Sequence, residues 1–122
     1  MHRSGTSALG GLLNLLGCDM PRRAIGGEGA NPKGYFESAP LNKLNNEILA
    51  SAGSAWDDWL PFNPEWEHSP TAVGFRRRAD EILAGEYDES SFFFFKDPRN
   101  CRLFGFWRAR LEAAGCRPLI IS

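Results

Sequence analysis

Leucines at positions 9, 12, 13 and 16 recur at the three- and four-residue spacing of a helix face, and Gly17 follows them as a left-handed stop. The pattern predicts a helix starting near Ser4. Residues 18–39 then break the periodicity with Pro21, Gly26, Gly27, Gly29, Pro32 and Gly34, which predicts a long loop of the kind compact domains keep for function. Leu41, Leu44, Ile48 and Leu49 share one face of a second helix that begins near Pro40 and stops at Gly53. Residues 54–68 carry Trp56, Trp59, Trp66 and two prolines, a loop pinned by aromatic anchors that serve more readily as structural plugs than as a carbohydrate platform. Ser69 caps a third helix with Pro70 in its first turn, and Val73, Ile82 and Leu83 supply its apolar stripe before Gly85. Its three consecutive arginines, Arg76, Arg77 and Arg78, spread round the helix and read as a solvated face.

The periodicity changes at residues 92–95, four consecutive phenylalanines bounded by Ser91 and by Asp97-Pro98. A short apolar run with such borders predicts a strand buried on both faces, as in a parallel sheet. Leu103, Phe106, Trp107, Leu111 and Ala114 mark a fourth helix ended by Gly115, and residues 118–121 predict a second strand. Strand, helix and strand in that order form a parallel crossover unit, so the expected fold class is α/β.

Composition narrows the function classes. At 122 residues the chain is one small domain or part of a larger one, with no internal repeat. Fourteen basic residues against fifteen acidic ones leave a net charge of −1, so no general field draws it to nucleic acid or to an anionic membrane. Any anion recognition must be local. Eleven of the basic residues are arginine, whose planar donor fork suits oxyanions, although genome bias explains such an excess more simply. Cys18, Cys101 and Cys116 lack the paired spacing of a zinc or redox motif and read as small buried thiols of a reducing compartment. No apolar run approaches the roughly 20 residues that span a bilayer, and the N-terminus is not a signal peptide, so a cytoplasmic location is expected.

The candidate chemistry sits at the start of the chain. His2-Arg3-Ser4-Gly5-Thr6-Ser7 sets an arginine, three hydroxyls and a glycine directly before an amphipathic helix. Exposed N–H groups and the positive end of the helix dipole attract an oxyanion there, hydroxyls donate to it, and Gly5 lets the main chain approach. The run is not a nucleoside-triphosphate P-loop, because Gly, four residues, Gly-Lys and Ser or Thr never occur in that order.

Together with Asn31-Pro32-Lys33-Gly34-Tyr35-Phe36-Glu37-Ser38 and Lys96-Asp97-Pro98-Arg99, in that order, this opening resembles the bacterial sulfotransferase-like group. The resemblance implies a P-loop-like three-layer fold, here incomplete, with a short parallel sheet flanked by helices. It implies transfer of a sulfuryl group from 3′-phosphoadenosine-5′-phosphosulfate to a hydroxyl or amine of a small-molecule or carbohydrate acceptor, without a metal. Carried over by residue, Arg3, Ser4, Gly5, Thr6 and Ser7 would hold the 5′-phosphosulfate, with Arg3 neutralising its bridging and sulfuryl oxygens. Glu37 would be the general base, with Glu28 as its rival. Lys96 would be a second cation on the sulfuryl group or the leaving phosphate, against the plain alternative of a pair with Asp97 or another surface acid. Arg99 and Arg102 read as structural or peripheral to the anion site, and neither His2 nor His68 takes a catalytic role.

Members of that group have a strand before the phosphosulfate loop and a later segment that holds the 3′-phosphate. Residues 1–122 therefore read as the N-terminal portion of a sulfotransferase domain without its 3′-phosphate segment, from which catalysis unaided is not expected. A non-catalytic nucleotide- or phosphate-binding module is the first alternative, and a P-loop kinase the second.

Overall fold

The computed structural model describes residues 5–26 and 34–121, and its regular elements are helices. Four α-helices follow one another: α1 (Thr6–Leu15), α2 (Ala39–Ser51), α3 (Pro70–Tyr87) and α4 (Phe104–Ala113), with 3₁₀ turns at Pro64–His68 and Pro98–Cys101. Local chemistry explains their starts. The Ser38 hydroxyl accepts from the N–H of Leu41 to cap α2, the Ser69 hydroxyl accepts from Ala72 to cap α3, and a proline occupies the first turn of each. α3 runs two residues past Gly85, because Leu83 and Tyr87 on its inner face are both buried and hold the last turn down.

The core lies between α2, α3 and α4. Leu41, Leu44, Ile48 and Leu49 from α2 meet Ala72, Ala79, Leu83 and Tyr87 from α3 and Phe106 and Trp107 from α4. Trp66 plugs one end, with its ring against Phe62, Phe75 and Phe106 and its indole N–H on the Ser51 hydroxyl at 2.9 Å. Leu83 lies in the inner stripe of α3 as expected and Ile82 packs against the core, whereas Val73 is exposed and Ala72, Phe75 and Ala79 fill the preceding turns. The arginines of α3 are each engaged. Arg76 donates to the Glu67 carbonyl, Arg77 pairs with Glu81, and Arg78 pairs with Glu47 while lying over the Phe75 ring.

The expected α/β fold is not found: no strand or sheet occurs among the described residues, and with it goes the short parallel sheet of a P-loop-like three-layer arrangement. Residues 92–95 are extended, but their backbone is satisfied piecemeal. Asp19 makes one isolated parallel bridge to Phe93, accepting from Phe94 N–H and donating to the Phe92 carbonyl. The Tyr87 hydroxyl donates to the Phe94 carbonyl and the Asn100 amide to that of Phe95. Side chains thus take acceptors that a neighbouring strand would need. The alternation of an extended chain survives, since Phe93 stacks on Tyr87 and Phe95 meets Trp107 edge-on while Phe94 turns to Phe36 on the other side. Phe92 is exposed, so the run is not buried throughout. Residues 118–121 form no strand either, and Leu119, Ile120 and Ile121 are exposed.

Arg102 organises the 54–62 segment. Its guanidinium donates to the Asp58 and Leu60 carbonyls and to the Ser54 hydroxyl, at 2.6 to 2.8 Å. Of the tryptophans between residues 54 and 68, Trp66 is the plug, whereas Trp59 is 89% exposed. Of the cysteines only Cys18 is buried; Cys101 is exposed and Cys116 lies between. No helix among the described residues is long and apolar enough to cross a membrane.

Candidate functional site

α1 starts at Gly5, whose φ of 80° places it in the left-handed region that a glycine enters without steric cost. Gly5 brings no side chain to cap the first turn, and no acidic residue lies there. The positive end of the helix dipole is therefore not neutralised by the helix itself.

Two glycines in the middle of α1 set how closely it approaches the 34–38 segment. A Cβ on Gly10 would stand 3.1 Å from the Phe36 Cβ, and one on Gly11 would stand 3.4 Å from the ring tip of Phe36. Phe36 in turn has φ 57°, the one non-glycine residue at positive φ among those described. A bulky residue held there signals strain that the surroundings over-determine, and such strain gathers at functional sites. Its consequence lies in its two neighbours: the carbonyl of Tyr35 and the carboxylate of Glu37 converge on one point.

That point is Lys96 Nζ. It donates to Glu37 Oε1 at 2.6 Å, to the Tyr35 carbonyl at 3.0 Å and to the Ser7 hydroxyl at 3.4 Å. The second carboxylate oxygen of Glu37 accepts from the Asn42 amide at 3.2 Å. Only 15% of the lysine side chain and 9% of the glutamate side chain are exposed, so the pair is shielded from water. The backbone of Glu37 is pinned as well, because its carbonyl accepts from Ile25 N–H at 2.7 Å and Ser38 begins α2.

Three segments singled out in the sequence therefore meet at Ser7, Glu37 and Lys96. Gly5 and Thr6 stand beside them at the start of α1. Arg3, Ser4 and Glu28 lie outside the described residues. Asp97 does not pair with Lys96: one of its oxygens accepts from the N–H and guanidinium of Arg99, while the other, buried, has no partner among the described residues. Arg99 also holds Asn46, and Arg102 holds the 54–62 segment, so both arginines are structural. Sequence reasoning missed Asn42 and the role of Phe36. The Gly10-Gly11 pair was the available signal, since glycine inside a helix costs about 1 kcal/mol each and implies a close approach.

Away from this cluster, the Glu86 side chain is fully buried under Arg23, whose Nε donates to it at 2.6 Å. Burial, followed by the Glu86 charge, pushes the neighbouring Tyr87 hydroxyl well above its ordinary value. A groove of about 430 Å³ is lined by Trp59, Leu60, Phe62, Glu67 and Arg102 among others, and Ser7, Glu37 and Lys96 are not in its walls. No cluster of three or more His, Cys, Asp or Glu among the described residues could hold a metal ion.

Compared with protein-family models, curated proteins and solved structures, the chain gives no match.

Proposed function

We propose that the chain binds the phosphosulfate end of 3′-phosphoadenosine-5′-phosphosulfate at the start of α1 and serves sulfuryl transfer to a hydroxyl or amine. The observation that carries this reading is the meeting of Ser7, Glu37 and Lys96 at one shielded point, although they lie up to 89 residues apart in sequence. An ammonium, a hydroxyl and a helix start whose N-cap residue, Gly5, brings no side chain form a donor set suited to an oxyanion. The fit rests on this cluster and not on a sheet.

Lys96, Ser7 and the first-turn N–H groups of α1 would hold the anion, joined by Arg3 and Ser4. The donor supplies an activated sulfuryl group whose transfer needs charge stabilisation on the leaving oxygen, by analogy with phosphoryl transfer. Lys96 provides that charge without a metal. Glu37 takes the proton of the acceptor hydroxyl or amine at a carboxylate oxygen, and Asn42 orients that carboxylate through its other oxygen. Three free cysteines suit a reducing, cytoplasmic setting.

Calorimetry with 3′-phosphoadenosine-5′-phosphate tests the reading. Saturable binding is expected, and Lys96→Ala should weaken it about ten- to a hundredfold, the worth of one charge-assisted hydrogen bond. Unchanged affinity in Lys96→Ala, or no saturable binding by the chain, overturns the proposal.

A further inference from the structure

Lys96 is already fully engaged. An ammonium carries three N–H donors, and three acceptors surround it: Glu37 Oε1, the Tyr35 carbonyl and the Ser7 hydroxyl. An anion that is to be held by Lys96 must displace one of them. Of the three, only Glu37 carries charge, so exchanging it for an oxyanion leaves the shielded cation neutralised, whereas displacing a carbonyl or hydroxyl would set two negative groups on one ammonium. The carboxylate is also the acceptor most free to leave. Its backbone is fixed by Ile25 and by the cap of α2, and its other oxygen rests on Asn42, so a rotation of the side chain alone takes Oε1 off Lys96 while Asn42 keeps hold of it. The Tyr35 carbonyl, by contrast, can turn away only if the backbone at Phe36 moves, and Phe36 is wedged against Gly10.

We propose that Glu37 is the internal counter-anion of Lys96, and that an oxyanion arriving at the start of α1 displaces it. Anion binding and release of the base are then a single event. Before it, Glu37 Oε1 is turned to the ammonium; after it, the same oxygen is released to face an acceptor's proton. This deepens the anion-site reading above and rests on it.

The test compares the unmodified chain with Glu37→Gln and Glu37→Ala, using inorganic sulfate and 3′-phosphoadenosine-5′-phosphate as separate titrants in calorimetry. Removal of the competing charge should tighten sulfate binding about tenfold or more in both variants. Equal or weaker binding of sulfate than by the unmodified chain overturns the inference, as does a lack of sulfate binding by chain and variants alike. Should either variant fail to fold by circular dichroism, the unmodified chain carries the test through its ¹³C-labelled glutamate carboxyls. The Glu37 resonance should move on saturation with sulfate while that of buried Glu86 stays, and an unmoved Glu37 resonance overturns the inference. The two readings separate cleanly. If the variants gain sulfate affinity but the nucleotide binds no better than sulfate, the nucleotide reading falls and the exchange at Lys96 stands. If the nucleotide binds well and the variants gain nothing, the exchange falls alone.

Discussion

Trp107 donates its indole N–H to Oδ1 of Asn45 across 2.7 Å, deep in the interior where α2 meets α4. Asn45 is fully buried, and its amide reaches Asn100 at 3.4 Å on the turn that follows the Lys96 segment. The pair therefore ties two core helices to the segment that carries the candidate site. Asn45→Leu should cost about 1 to 3 kcal/mol, because it strands a buried donor. Adding Trp107→Phe, which removes that donor, should lower the cost below the sum of the two single changes in urea unfolding. Strict additivity would show that the bond contributes little.

Arg23 and Glu86 pose the same question with charge. The carboxylate is buried, but the guanidinium is more than half exposed, so the pair is worth less than one wholly out of water. Arg23→Ala should still destabilise by about 1 to 3 kcal/mol, since buried Glu86 loses its ion pair and keeps only the residue-23 backbone N–H, at 3.2 Å. Neutralising the stranded acid with Glu86→Gln should recover part of that loss. A double variant no more stable than Arg23→Ala would count against the electrostatic explanation.

Neighbouring glycines in α1 should respond oppositely. Gly11→Ala meets Phe36 at ordinary contact distance, so the helix propensity gained should stabilise the chain by about 0.5 to 1 kcal/mol. Gly10→Ala must push Phe36 at its Cβ, where the backbone is already at φ 57°, and overpacking of that kind costs about 1 to 3 kcal/mol. Thermal unfolding of the two variants checks this, and equal behaviour would mean that Phe36 yields easily.

Acid should loosen the 54–62 segment before it unfolds the core. Hydrogen bonds from the Leu60 N–H and the Ser54 hydroxyl, with smaller help from Arg102 and Trp59, hold the Asp58 carboxyl below its ordinary value of 3.8. A lowered acid contributes stability that is complete above the unfolded value and lost as pH falls through the folded one. Tryptophan emission from Trp56 and Trp59 should therefore change below about pH 4, ahead of the far-ultraviolet circular dichroism. Asp58→Asn should shift that early change away, and an identical acid profile in the variant would refute the assignment.

The helices were legible because their signals are local. Leu41, Leu44, Ile48 and Leu49 are buried as their spacing predicts, and Ser69-Pro70 starts α3 as read. Residues 92–95 were misread because an apolar run specifies burial, not a partner; Asp19, Tyr87 and Asn100 satisfy its backbone from three separate places. In α1 the leucine pattern overstated burial, since Leu12 and Leu16 are exposed. The site was half legible: Ser7, Glu37 and Lys96 were each marked, but an ion pair 59 residues apart in sequence leaves no local trace. Nor does a phenylalanine forced to positive φ, which packing imposes and propensity opposes.

α1 buries Gly10 alone and leaves Leu12 and Leu15 open to water, while α2, α3 and α4 share a continuous core. In the language of amide hydrogen exchange, that makes α1 a separate opening unit: its backbone should exchange through local detachment, at a free energy well below that of the three core helices. An anion held at its first turn binds only the docked form. Ligand should therefore slow exchange in α1 selectively, and by a factor that grows with ligand concentration, leaving the slowest amides of α2 and α3 to report global unfolding.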